Sequence, residues 1–179
     1  MEYLLKFSKT VDWVNAKLGI LANASVLLAC VVSAANAMIR YAFDISSNGW
    51  LELQWYLFAV VVMLGASYTL QRNEHVRVDV FYMHLSPKGQ AWTDIIGGVL
   101  FLLPACFVIG WYSWPFFYES WFRNEISTNA GGLLRWPVKF LIPLGFGLLF
   151  LQGLSEIIKR IAVLEGLKVE VAQYERPEQ

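Results

Sequence analysis

The sequence predicts an all-α membrane protein with four transmembrane helices, an N-terminal interfacial amphipathic helix and both termini in the cytoplasm. Three observations predict it. Of 179 residues 57% are hydrophobic and only 16% charged, and most of that excess is gathered into four apolar runs of about 20 residues, the length that crosses a bilayer core. The basic residues fall unevenly on the two sides of those runs. Period-two alternation, the mark of a membrane barrel, is absent, so an unbroken helix is what satisfies every backbone N–H and C=O where water is excluded.

The elements follow in order. Residues 1–17 place Leu4, Phe7, Val11 and Val14 at helical spacing, with Lys6, Lys9, Asp12 and Lys17 elsewhere around the cylinder. This suits a helix lying along the inner leaflet before the chain turns into the first span. The alternative is a signal peptide, because Ala35-Asn36-Ala37 resembles a cleavage site behind a basic and then an apolar segment. Its apolar region would be unusually long, and cleavage would leave three spans with mismatched charge. The four-helix domain, 18–158, holds spans at about 18–39, 50–71, 95–116 and 136–157. Residues 159–179 read as a cytoplasmic tail, a short helix fraying into the ERPEQ end.

Orientation rests on lysine and arginine, which are retained on the cytoplasmic side of short loops. Ten of the fourteen lie on one side: Lys6, Lys9, Lys17, Arg72, Arg77, Lys88, Lys159, Arg160, Lys168 and Arg176. Arg40, Arg123, Arg135 and Lys139 lie on the other, which places segments 40–49 and 117–135 outside. Aromatic residues from Trp111 to Phe122 crowd the outward end of span three, where amphipathic rings prefer the interface.

The chemistry-bearing residues are few. Net charge is zero, which argues against a nucleic-acid partner. Cys30 and Cys106 stand alone within apolar runs and read as buried small hydrophobes. Ala22, Ser25, Ala29, Ser33, Asn36 and Arg40 recur every three or four residues as a small and polar stripe, suited to close packing within this bundle or against a second membrane protein. Gly65 and Gly145 offer further close-packing surfaces, and Pro104 and Pro143 predict kinks. Glu52 lies inside the outer half of span two, and a carboxylate at that depth is a functional candidate. Its place in the first helical turn equally suits a cap or an ion pair with Arg40 or Lys139. The segment at 72–79 gathers Arg72, His75, Arg77 and Asp79; one histidine and two carboxylates match metal spacing poorly, so salt bridges or docking fit better. No phosphate loop, nucleophile elbow or paired intramembrane histidine is present, which predicts no enzyme, no metal and no cofactor.

Several of these residues together resemble a known family. Trp50-Leu51-Glu52 opens span two, Leu64-Gly65-Ala66 lies toward its end and His75-Val76-Arg77-Val78-Asp79 follows it. Trp136-Pro137, Lys139 and Ile142-Pro143-Leu144-Gly145-Phe146 lie in span four. In this order, over residues 15 to 160, the chain is similar to the small membrane subunit, the DctQ type, of tripartite ATP-independent periplasmic (TRAP) transporters. The resemblance implies a bacterial inner-membrane protein with two protein partners and a lipid environment. One partner is a large membrane subunit that moves substrate by a sodium-driven elevator motion, and the other is a periplasmic substrate-binding protein that delivers a small organic acid. The small subunit is then a non-translocating scaffold. The rival reading, a self-sufficient four-helix proton-coupled exporter, requires a carboxylate deep in the first span, and 18–39 contains none.

Overall fold

A computed structural model describes residues 1–45, 47–75, 82–167 and 169. It contains helices α1 (Glu2–Phe43), α2 (Asn48–Arg72), α3 (Pro87–Gly97), α4 (Leu103–Phe122) and α5 (Trp136–Leu164), with a short 3-10 turn at Tyr82–His84. One π turn, Gly98–Leu102, joins α3 to α4, so that Pro87–Phe122 is one continuous spanning element. Among the described residues four helical elements are thus long and apolar enough to cross a membrane.

Local chemistry sets the helix ends. Ser86 accepts the Gly89 N–H at 3.2 Å and Pro87 supplies a preset φ, a pairing that starts α3. Pro137 likewise presets φ at the start of α5, there without a side-chain cap. The first helix stops where Asp44 takes a left-handed conformation (φ 55°) and its N–H bonds the Arg40 carbonyl at 3.1 Å. Asn73 (φ 58°) ends α2 likewise.

Residues 2–17, expected as an interfacial helix, continue without a break into the first span as the opening turns of a 42-residue α1, about 63 Å long, roughly twice the hydrocarbon thickness. Near Pro104, the chain adopts the wide π turn one helical turn ahead of the proline. Proline lacks the N–H that would bond the carbonyl of residue 100 and its ring crowds that carbonyl; a wider turn relieves both.

Helices α1, α2 and α5 pack on one another, and α3 and α4 pack along α5. Close approach depends on glycine at two places. A Cβ on Gly19 would meet the Tyr68 ring at 2.6 Å, and one on Gly145 would meet the Met63 carbonyl oxygen at 2.8 Å. The N-terminus, the end of α2, the start of α3 and the end of α5 lie at one end of the bundle, called here the terminal end. The α1–α2 turn and segment 123–135 lie at the other, the loop end.

Candidate functional site

At the terminal end, polar side chains of α1, α2 and α5 form one connected network. Asn15 Nδ2 donates to Gln152 Oε1 at 2.6 Å, and Ser67 Oγ donates to Asn15 Oδ1 at 2.9 Å. Gln152 Nε2 in turn donates to Asp12 Oδ1 at 2.8 Å and Glu156 Oε1 at 2.9 Å. Ser155 donates to Asp12 Oδ1 at 3.0 Å, so the 2.6 Å contact between Ser8 and Ser155 carries the Ser8 proton. Lys159 closes the network, bridging Asp12 at 3.1 Å and Glu156 at 2.5 Å. Asn15, Ser67, Gln152 and Ser155 have no exposed surface, and unpaired amides or hydroxyls there would be costly. The sequence reading missed this network. Its signal is visible in retrospect: Ser8, Asp12 and Asn15 continue the small and polar stripe toward the N-terminus at steps of four and three, and Gln152, Ser155, Glu156 and Lys159 recur on one face of α5. The network also places Asp12 on the same helix as the first span, paired with Lys159.

The stripe itself is partly relocated. Ala22, Ser25 and Asn36 are buried as expected of a packing face and Ala29 is half-buried, whereas Ser33 and Arg40 are exposed and Val32 takes the buried position. The buried positions Ser8, Asn15, Ala22 and Asn36, together with Ser25 and Val32, keep to multiples of seven residues, whereas the stripe follows the straight-helix advance of about 3.6 residues per turn, so the two part company along α1. Gly65 stands 3.9 Å from the Ala22 Cβ and Gly145 is buried against α2. Cys106 is buried as expected, but Cys30 is exposed on the bundle exterior.

At the loop end, Glu52 is 3% exposed. Its carboxylate accepts from Ser127 Oγ, from Asn129 Nδ2 at 2.8 Å and from the Leu133 N–H at 2.7 Å. Lys139 does not pair with it. It bonds Glu125 instead and lies 3.9 Å from the centre of the Phe116 ring. Arg40 pairs with no carboxylate among the described residues. The sequence offered Glu52 two structural roles, a cap or an ion pair; neither Arg40 nor Lys139 pairs with it here, and three hydrogen bonds from a folded-back loop engage it. That loop is pinned further by Tyr56 Oη on the Leu134 carbonyl at 2.8 Å, by Asn48 on the Ala130 carbonyl at 3.2 Å and by an antiparallel bridge between Ile126 and Leu134. The ammonium of Lys139 beside Glu125 holds that carboxyl below its ordinary range.

The remaining candidates lie near the end of α2, far from Glu52. Arg72 Nε donates to Tyr68 Oη at 3.0 Å and its guanidinium stacks 5.5 Å from that ring. His75 is exposed, and Arg77 and Asp79 lie outside the described residues. Asp94 on α3 meets Arg160 on α5 at 3.0 Å and accepts from Tyr82 Oη at 2.9 Å. Among the described residues no group of three His, Cys, Asp or Glu side chains converges as a metal site would require.

Comparison with known proteins agrees with this architecture. The family model described as the DctQ component of tripartite ATP-independent periplasmic transporters matches residues 29–163. A protein of Haemophilus influenzae that carries the provisional name of TRAP transporter small permease protein is 31% identical over 117 residues, which cover 65% of this chain and 68% of that protein. No solved structure matches the chain to a significant degree.

Proposed function

The chain belongs to the DctQ family of TRAP transporter small permease subunits, and from that premise we propose that it is the non-translocating scaffold of a sodium-driven, binding-protein-dependent importer of a small organic acid. It lies in the inner membrane as a multi-pass protein, performs no catalysis, and supports a large elevator-type membrane subunit to which a periplasmic binding protein delivers substrate. Both termini face the cytoplasm, in keeping with the ten lysines and arginines that the sequence puts on that side of the apolar runs.

One observation carries the scaffold role. The polar groups of the three-helix core, Ser8, Asp12, Asn15, Ser67, Gln152, Ser155 and Lys159, are bonded to one another across α1, α2 and α5. A transport site needs polar groups and helix ends directed at a cargo; groups engaged in this way instead fix three helices as one body. Glu52 is engaged in the same sense, holding segment 123–135 against the bundle. A pinned loop supports contact with the binding protein over the role of a loose linker.

Reconstitution tests the reading. The large subunit and binding protein with this chain should take up substrate under a sodium gradient, uptake should collapse when this chain is omitted, and this chain alone should move nothing. Undiminished uptake without it, or uptake by it alone, would overturn the proposal.

A further inference from the structure

A cleft of about 410 Å³ opens between the end of α2, α3 and α5 at the terminal end. Its lining combines apolar side chains, among them Leu70, Leu102 and Ile157, with the polar side chains of Asn73, Glu156 and Arg160. The volume is within the range of small-molecule sites. Glycine makes the space: a Cβ on Gly97 would meet nothing within 4 Å, and the π turn that begins at the next residue widens the helix beside it. Such turns recur at functional sites.

The polar groups of this lining have bonding capacity left over, and their signs are complementary to a zwitterion. Asn73 Nδ2 is shielded from solvent and finds no acceptor among the described residues. Both bonds to Glu156 from Gln152 and Lys159 fall on Oε1, which leaves Oε2 for a further donor. Arg160 directs Nε to Asp94, and a guanidinium carries four further N–H donors. One carboxylate oxygen thus stands near two sets of N–H donors, at the depth where α2 leaves the membrane and Trp92 projects outward, 56% exposed.

We propose that this cleft binds the headgroup of an aminophospholipid, with the ammonium at Glu156, the phosphate at Asn73 and Arg160, and the start of an acyl chain over Leu70, Leu102 and Ile157. A phosphatidylglycerol head brings no cation to Glu156, and a choline head brings a cation with no N–H to donate. The inference goes beyond the transporter reading and stands without it.

The test is native mass spectrometry of the full chain, exchanged in detergent against phosphatidylethanolamine, phosphatidylglycerol and phosphatidylcholine of identical acyl chains. One phosphatidylethanolamine per chain should be retained in preference to the other two. Gly97→Leu introduces a side chain into the cleft at a position where a Cβ meets nothing within 4 Å, and should lower that retention about tenfold. Glu156→Gln should erase the preference for ethanolamine over choline while leaving phospholipid bound. No retained lipid, equal retention of all three, or full retention by Gly97→Leu would each overturn the proposal.

Discussion

At the scale of single residues, Glu52 shows how a carboxylate near the membrane becomes structural. Three donors from one loop converge on it, Ser127 Oγ, Asn129 Nδ2 and the Leu133 N–H, and all three lose this acceptor if it is truncated. Glu52→Ala should therefore cost about 2–4 kcal/mol. Glu52→Gln should cost less, because its amide oxygen still accepts while its NH₂ opposes the loop donors. Thermal unfolding in detergent would read both, and equal stability of Glu52→Ala and the parent would contradict the assignment. Glycine gives a sharper contrast. Gly145→Ala drives a methyl into the Met63 backbone at 2.8 Å, and backbone has little room to yield, so a loss of about 1–3 kcal/mol is expected. Gly147→Ala faces open space and should be neutral or gain up to about 1 kcal/mol from helix propensity. The same melting experiment should separate the two glycines.

Elements come next, and the segment 123–135 behaves as one. It is tied to α2 through Glu52 and Tyr56 and to α5 through the Glu125–Lys139 pair. The folded Glu125 carboxyl titrates below its ordinary value of 4.5, with the Lys139 hydrogen bond the largest cause. The direction is set by linkage: a depressed folded pKa contributes stability that is full above about 4.5 and is lost as pH falls through the folded value. Amide exchange in 123–135 should accordingly rise on acidification below that point, and Lys139→Met should show the raised exchange at neutral pH. A loop whose protection ignored both changes would not be held by this pair. Helix α1 is the second element whose extent matters. Its opening turns are not a loose anchor, since Ser8, Asp12 and Asn15 tie them to α5 and α2, and removing one partner of the buried Lys159 would leave charge uncompensated in a low-dielectric setting.

For the whole molecule, the inside and the outside have exchanged the chemistry expected of a water-soluble protein. The largest fully buried side chains are Gln152 and Asn15, while Leu27, Phe101 and Tyr112 stand on the exterior at 69%, 73% and 75% exposure. Hydrocarbon outside removes the cost of exposed apolar surface, and hydrogen bonds together with small-residue contacts then supply helix association. This exterior is available to lipid and to a partner subunit alike. Orientation belongs to this scale as well. With Cys30 and Cys106 replaced, a single cysteine at Ala130 should react with an impermeant maleimide added to spheroplasts, whereas one at Glu2 should react only after lysis. The reverse pattern would invert the topology.

Class, span number and family were legible in the chain itself, because the length of an apolar run and the order of Trp50-Leu51-Glu52 and Ile142-Pro143-Leu144-Gly145 are local properties. So was the candidacy of Glu52, since an isolated carboxylate in an apolar run is conspicuous wherever the chain folds. Its partners were not, because Ser127, Asn129 and Leu133 lie some 75 to 81 residues away and nothing local foretells how a loop folds back. The Asp12–Gln152–Lys159 network escaped for the same reason: each member is an ordinary polar residue on its own helix, near the ends of the apolar runs where such residues are common. Only the docking of α1 onto α5 makes them one buried cluster. Hydropathy decides where a segment resides, whereas which side chains meet depends on helix phase and crossing, and those are settled by packing in three dimensions.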